Sequence, residues 1–359
     1  MSGCAGGVGS SYSGTVRAEV KFAAALVGAA ALVVGAVIAR DRLDDNGAPR
    51  VTPLDPGKAE VVVCLDELDT MCDALADGAG GRVALAIESG ADTVERLSSR
   101  TPDEFTWVTT TEWIDVASES RAARALPALD WLAEPEPVAH APLVLIVWAD
   151  RAKVLTNNCA AILLCAADIA ASGWTAAGGQ AAWGPVEFDL RNVDTSPASR
   201  AALGALAAQH FAAADPPLQA SDISSTDLDS PAFAKRFGAL ADAVPRQSFA
   251  QTDPFQRMLT VGPAALEMTV LSTVDLVERP IPAARSAQLV QQSIPRAAID
   301  VAVVSPTSIG DSRALKWLRS DEGATTAERL GYRAGAADDE LPSGGVLSAL
   351  ATRWSAQAR

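Results

Sequence analysis

The residues best suited to ligand chemistry in this sequence follow strand-like runs, at points where helices are predicted to begin. In VEFDLRNVDTSPASRAALGALAAQHF (186–211), apolar residues first alternate with charged ones, and an Ala/Leu-rich helical pattern then follows Ser196-Pro197. The serine is a typical N-cap and the proline a typical first helical residue. Free backbone N–H groups at such a start can bind a ligand, or the polar side chains can simply cap the helix. The candidate ligand residues here are Asp194, Thr195, Ser196 and Ser199.

Three further strand-like runs, AEVVVCL, RVALAIES and EFTWVTT, end in acidic or hydroxyl residues. In an open α/β sheet the carboxyl ends of the strands are where ligands bind. The candidate ligand residues at these ends are Asp66, Ser89, Gly90, Thr109, Thr110 and Thr111. Hydroxyl groups would suit an oxyanion or a polyol. The nearby acids would repel a bare oxyanion and favour a cationic ligand, a polyol or a metal chelate; they are Asp66, Glu88, Glu112 and Asp194.

No catalytic motif accompanies these residues. The sequence lacks a GxSxG elbow, a Walker A loop, a GxGxxG turn after a strand and an HExxH helix. DTSPAS and DISST resemble an Asp-x-Ser-x-Ser metal motif, but the first is one residue too long and the second follows a loop. We therefore predict a protein that is not an enzyme, with no cofactor and no metal site.

Strand-like and helix-like stretches alternate through the globular part. AEVVVCL, RVALAIES, EFTWVTT, APLVLIVWAD, GPVEFDL and AIDVAVVSP are the strand-like runs, and helical patterns separate them. Repeated strand-then-helix units predict an α/β fold with mostly parallel sheets flanked by helices.

Three segments precede the globular part. Residues 1–21 are predicted to be a disordered tail, 22–39 an apolar span and 40–58 a linker rich in Asp, Pro and Gly. The 18 apolar or small residues from Phe22 to Ala39 are at the short end for a transmembrane helix and slightly long for a signal peptide. We predict a retained single-pass anchor; cleavage after Ala39, which would give a secreted protein, is the alternative.

Charge and cysteine content limit the partners and indicate the compartment. The formal net charge is −15, so the chain has no basic stripe with which to bind nucleic acid. Four of the five cysteines form two close pairs, Cys64 with Cys72 and Cys159 with Cys165, as two short-loop disulfides would require. Four buried free thiols are the alternative. Because disulfides persist in oxidising compartments, we expect the globular part to lie outside the cytoplasm.

In the order and residue pattern of their segments, residues 59–335 resemble the type 2 periplasmic (extracellular) solute-binding proteins, particularly their molybdate/sulfate-like branch. TPDEFTWVTTTEWIDV resembles the segment that closes a first-lobe strand, APLVLIVWADRAKVL the strand that crosses to the second lobe, and AIDVAVVSP the returning strand. ALKWLRSDEGATTAERLGYR is similar to the family's C-terminal helix pair. In LSTVDLV, Ser272 stands where related sequences often carry an acidic residue, which adds Ser272 to the candidate ligand residues.

The resemblance implies two α/β lobes that close over a ligand in the cleft between them. Lobe 1 would comprise residues 59–143 and 298–359, and lobe 2 residues 144–297. The implied function is that of a membrane-tethered extracytoplasmic solute-binding protein that captures a small polar ligand, for an ABC-type transporter with its membrane subunits or for sensing. The alternative is a non-catalytic cell-envelope scaffold that kept the bilobal fold without a functional pocket.

Overall fold

The computed structural model describes residues 60–102, 105–133, 135–157, 159, 161–245, 253–306, 312–337 and 341–358. The predicted tail (1–21), apolar span (22–39) and linker (40–58) lie outside these residues. Within the described part of the chain, no helix is both long enough and apolar enough to cross a membrane.

Eight strands of the described chain form one hydrogen-bonded sheet. They are β1 (Glu60–Leu65), β2 (Val83–Glu88), β3 (Thr106–Thr110), β4 (Glu136–Trp148), β5 (Phe188–Asp189), β6 (Met268–Ser272), β7 (Leu289–Val304) and β8 (Arg333–Ala334). Their order is β2-β1-β3-β7-β4-β6-β5, and β8 pairs with β4. β1 is parallel to β2 and β3, and β5 is parallel to β6.

β4 and β7 are the long central pair of this sheet, and they run antiparallel to each other and to every strand beside them. They have 13 and 16 residues, and their register shifts between Pro137 and Ala139 and again between Pro142 and Val144. These strands contain the predicted crossing and returning runs. Because the chain goes out through one and comes back through the other, the sheet is mixed, and the predicted parallel pairing is found only in the flanking strands.

Helices follow most of the strands, as the alternating pattern predicts. They are α1 (Asp69–Gly78), α2 (Gly90–Leu97), α3 (Thr111–Ala123), α4 (Asp130–Ala133), α5 (Ala149–Asn157), α6 (Ile162–Ser172), α7 (Pro197–Ala212), α8 (Pro231–Asp242), α9 (Pro254–Thr260), α10 (Thr273–Glu278), α11 (Ala283–Ser286), α12 (Arg313–Leu318), α13 (Asp321–Arg329) and α14 (Gly344–Gln357). A 3-10 turn, Asp66–Leu68, connects β1 to α1.

The start of α7 follows its local sequence signals. Ser196 is the N-cap, its Oγ accepts the Ser199 N–H at 3.4 Å, and Pro197 opens the helix. The strand before it is shorter than predicted, with two residues. The Asp189 carboxylate accepts the Leu190 N–H, and the Asn192 amide oxygen accepts the Asp194 N–H. These local hydrogen bonds favour a turn over continued strand pairing.

The core is built mainly from Ala, Val and Leu, with Trp107, Trp113 and Trp174 almost fully enclosed. Disulfides join Cys64 to Cys72 and Cys159 to Cys165, as the cysteine spacing predicts. The first ties the end of β1 to α1, next to the turn that forms part of the candidate site.

Candidate functional site

A cavity of about 280 Å³ lies where the 3-10 turn after β1 meets the first turns of α7 and α10. The central strands complete its wall, with Ala141 from β4 and Ile299 from β7. Converging strand ends and helix starts are where open α/β sheets bind ligands. The charged side chains that line the cavity are Asp66, Glu67, Asp69, Asp275, Glu278 and Arg191.

A capping box at the start of α10 holds one of these acids in place. Ser272 Oγ accepts the Asp275 N–H at 3.1 Å, and Asp275 Oδ2 accepts the Ser272 N–H at 2.9 Å and the Ser272 hydroxyl at 2.8 Å. Both residues are buried. The other carboxylate oxygen, Oδ1, is therefore free to bind cations.

Two arginines and two aspartates form a closed ion-pair network at this helix start. Asp275 Oδ1 accepts from Arg191 Nη1 at 2.9 Å and from Arg279 Nη2 at 2.6 Å. Asp253 Oδ2 lies 2.6 Å from Arg279 Nη1 and 3.4 Å from Arg191 Nε. The positive charge of Arg191 is thus balanced before any ligand enters.

The other four lining carboxyl groups have no ion-pair partner among the described residues: Asp66, Glu67, Asp69 and Glu278. Burial, with the neighbouring charge of Asp66, raises the pKa of Glu67 to about 9. Partial desolvation also raises the pKa values of Asp66 and Glu278, although both residues are exposed. Glu67 Oε2 is enclosed without a hydrogen-bond partner in the described chain. The cavity is therefore rich in acids without a cationic partner. Asp66, Asp69 and Glu278 are exposed residues that accept hydrogen bonds, Asp66 from the Glu67 N–H and the other two from the Thr70 hydroxyl.

Tyr332, from the turn between α13 and β8, contributes a buried aromatic ring. Its side chain lines the cavity with 5% exposure, and its hydroxyl has no hydrogen-bond partner among the described residues. Burial raises the pKa of this phenol, and the nearby charges of Glu278 and Asp275 raise it further. The hydroxyl therefore stays protonated and lies within electrostatic reach of the acids.

Of the residues predicted from sequence to bind ligand, Asp66, Ser196 and Ser272 line this cavity. The others lie outside its lining, and their contact with a ligand stays a prediction: Ser89, Gly90, Thr109, Thr110, Thr111, Asp194, Thr195 and Ser199.

Ser89 and Gly90 have evident packing roles at the start of α2. Ser89 Oγ accepts the Asp92 N–H at 3.2 Å, which caps the helix. A Cβ at position 90 would come within 2.3 Å of the Trp113 ring, so the glycine allows α2 and α3 to approach closely. The neighbouring acid Glu88 pairs with Arg96 at 2.5 Å.

Thr109 and Thr110 are buried in β3. A second polar region lies at the start of α3, and we call it the Glu112–Arg200 cluster after its two charged residues. The Arg200 guanidinium lies 4.3 Å from the centre of the Trp113 ring. Both Glu112 carboxylate oxygens, and Nε and Nη1 of Arg200, are buried without a hydrogen-bond partner in the described chain. Burial raises the pKa of Glu112 to about 8 and lowers that of Arg200.

Sequence reasoning missed most of the charged lining. One signal was available: Ser272 and Asp275 have the spacing of a capping box, which marks Asp275 as a helix-start residue. No local pattern identifies Arg191, Glu278 or Tyr332, because tertiary packing brings them to the cavity.

Comparisons with solved structures identify the fold. A candidate extracellular solute-binding protein from Bordetella parapertussis superimposes with a TM-score of 0.53 at 12% identity, covering 85% of this chain and 100% of that one. An ABC transporter protein from Clostridium perfringens gives 0.51 at 9% identity, covering 83% and 98%. The substrate binding protein of an ABC transporter from Agrobacterium tumefaciens gives 0.50 at 13% identity, covering 87% and 98%. This chain has the fold of ABC transporter solute-binding proteins.

No family model and no curated protein sequence matches the chain. The likeness therefore rests on the fold, and the chemistry of the site has to be argued from the residues of this chain.

Proposed function

We propose that this protein captures a small polar ligand in the 280 Å³ cavity and presents it to the membrane subunits of an ABC-type transporter, without catalysing a reaction. The observation that carries the proposal is the position of the cavity, at converging strand ends and helix starts in a solute-binding-protein fold. Its polar lining also counts against a scaffold whose cleft is filled with apolar side chains.

The cavity draws its wall from both predicted lobes, which supports capture by closure. Asp66 and Tyr332 belong to the predicted lobe 1 (59–143 and 298–359), whereas Ser196 and Ser272 belong to lobe 2 (144–297). β4 and β7 would be the connecting strands, with their register shifts near Pro142 as the place to bend. A ligand that contacts both lobes stabilises the closed form by its additional contacts there. Assignment to the molybdate/sulfate-like branch is part of this proposal.

An occluding substitution tests the capture of a ligand. Ala198 lines the cavity at the start of α7, and Ala198→Trp would fill much of the space. The matched control is Ala122→Trp, on the exposed face of α3. Thermal unfolding of both variants and wild type is measured against oxyanions, sugars, amino acids and polyamines. A ligand at a hundredfold its dissociation constant adds about 2.7 kcal/mol to the unfolding free energy.

We expect a ligand-induced rise in Tm for wild type and Ala122→Trp, and none for Ala198→Trp. No response of wild type to any compound class, or equal responses of the two tryptophan variants, would contradict capture in this cavity.

We further propose that residues 22–39 tether the globular part on the outer side of the membrane. Two disulfides support an oxidising compartment. Intact mass after alkylation without reductant tests this directly, because Cys4 is the one cysteine outside the two pairs. A retained anchor predicts a membrane-bound chain with one alkyl group. Cleavage after Ala39 predicts none, and more than one would contradict the disulfides.

A further inference from the structure

The charge lining the cavity is strongly unbalanced. Five carboxyl groups and one guanidinium line it. Glu67, with its pKa raised to about 9, is neutral at pH 7, which leaves four acids, and the guanidinium, Arg191, is already paired with Asp275 and Asp253. Arg279, the other cation near α10, binds the same two aspartates. Among the described residues, the cavity lining therefore presents negative charge to a ligand, and its cationic side chain is already ion-paired.

The helix starts at the cavity offer little to an anion. At α7, Pro197 has no amide hydrogen, and the Ser199 N–H is already bound by Ser196 Oγ. At α10, the Asp275 carboxylate accepts the backbone N–H of the N-cap and brings a negative charge to the helix start. Part of what usually makes a helix start an anion site is thus already engaged by the protein itself, and at α10 the Asp275 carboxylate opposes an anion.

Tyr332 is the independent sign that a ligand belongs here. The residue as a whole is 5% exposed, and its hydroxyl has no hydrogen-bond partner in the described chain and lies within electrostatic reach of Glu278, Asp275, Asp69 and Glu67. A hydroxyl in a cavity wall with no partner in the protein is available to hydrogen-bond a ligand. An aromatic ring beside carboxylates also suits an organic cation, because the ring face attracts positive charge.

We propose that the captured ligand is an organic cation carrying an ammonium or guanidinium group, bound by the acids of the cavity that have no cationic partner, Asp66, Asp69 and Glu278, together with Tyr332. The inference rests on the proposed function and names its ligand class. A bare metal ion fits less well, because no group of three or more His, Cys, Asp or Glu side chains in the described residues is arranged to hold one.

Three four-carbon probes of matched length test the charge of the ligand: putrescine as the cation, 1,4-butanediol as the neutral analogue and succinate as the anion. Agmatine and choline extend the cationic series to a guanidinium and a quaternary amine. Binding to the full-length chain in mild detergent is followed by thermal shift and titration calorimetry. We expect at least one of the cations to bind, and the diol and succinate to bind at least tenfold more weakly than that cation.

Substitutions then locate the binding. Asp66→Asn, Glu278→Gln and Tyr332→Phe keep side-chain shape. The first two remove a negative charge and the third removes a hydroxyl that can hydrogen-bond the cation, so each is expected to weaken cation binding about tenfold or more. The matched control, Asp77→Asn, removes an exposed charge at the end of α1, outside the cavity lining, and should change affinity less than twofold. Circular dichroism of each variant confirms the fold.

The outcomes separate this inference from the proposed function. Stronger binding of succinate, sulfate or the diol that is lost in Ala198→Trp would overturn the cation inference and leave capture standing. Stabilisation by Ca²⁺ or Mg²⁺ with no response to the organic cations would also overturn it, as would cation binding that the three cavity variants leave unchanged. Absence of binding by the cations alone would overturn the cation inference, and absence of binding by the oxyanions, sugars and amino acids of the thermal screen as well would overturn both proposals.

Discussion

Two buried glutamates of this fold differ in what surrounds them. Glu267, which is 0% exposed, accepts from Arg151 Nε at 3.1 Å, from Trp174 Nε1 at 2.6 Å and from the Glu187 N–H at 3.2 Å. Glu112, which is 1% exposed, has no hydrogen-bond partner for either oxygen in the described chain. Equal burial thus accompanies different surroundings. The Glu267 carboxylate hydrogen-bonds three other residues, whereas the Glu112 carboxylate has the charge of Arg200 nearby, which interacts favourably with it.

Removing Arg151 should leave Glu267 buried without a cationic partner. This change is expected to lower the unfolding free energy more than any other described below. Arg151→Met keeps an apolar stem against Trp183, whose ring centre lies 4.5 Å from the Arg151 guanidinium, but leaves the Glu267 carboxylate without its cation. Breaking a buried ion pair by removing one partner typically costs about 3–5 kcal/mol. Urea unfolding of the variant and wild type measures the loss.

An exposed ion pair supplies the matched control. Arg353→Gln breaks the pair with Asp229, whose side chain is 71% exposed, together with the hydrogen bond from Arg353 Nη1 to the Leu228 carbonyl, and should cost about 1 kcal/mol. If Arg151→Met is no more costly than Arg353→Gln, Glu267 does not depend on its partners and the comparison fails.

Glu112→Gln should act in the opposite direction and depend on pH. Burial raises the pKa of Glu112 from 4.5 to about 8 in the folded chain, so the unfolded chain loses this proton first. The contribution of Glu112 to stability is fully present below pH 4.5 and is lost as the pH rises toward 8. We therefore expect Glu112→Gln to become more stable relative to wild type as the pH rises. The difference in unfolding free energy should grow by about 1 kcal/mol per pH unit between those limits.

Denaturation curves at half-unit pH steps measure this gain, and Glu95→Gln on the exposed face of α2 is the control that should follow wild type throughout. A difference between Glu112→Gln and wild type that stays constant with pH would show that Glu112 is ionised in the fold and finds partners there.

Features fixed by neighbouring residues could be predicted from sequence, whereas features that depend on distant segments could not. Ser196-Pro197 predicted the start of α7 correctly because an N-cap and a first-turn proline act through neighbouring atoms. The end of β5 was harder, because the side chains of Asp189 and Asn192 bind the N–H groups of Leu190 and Asp194, just past the strand, and so favour a turn there. The antiparallel central pair was not predicted, since strand direction within a sheet depends on where distant segments pair.

The site was predictable only at residues with a local signal, a strand end for Asp66 and Ser272 and an N-cap for Ser196. Asp66 and Ser272 lie at strand ends that converge on the cavity, whereas Thr109 and Thr110 end a strand that packs beside β7 and are buried. Tyr332 enters from a turn between α13 and β8, and Arg191 is held by ion pairs with Asp253 and Asp275. Alternation of apolar residues reports which face of a strand is buried, and it carries no information on which loops meet above its end.

Two helix-capping serines allow a similar comparison between a residue at the cavity and one away from it. Their substitution is expected to have the smallest effect on stability. Ser196 caps α7 at the cavity, whereas Ser320 caps α13 away from it and accepts the Gly323 N–H at 3.1 Å. Ser196→Ala and Ser320→Ala should each cost about 1 kcal/mol, because each helix loses one capping bond. Only Ser196→Ala should also weaken putrescine binding, since only that hydroxyl faces the cavity. Calorimetric titration of both variants measures this difference. Equal binding by the two would assign Ser196 to helix capping alone, and the strand-end acids with Tyr332 would then carry the recognition.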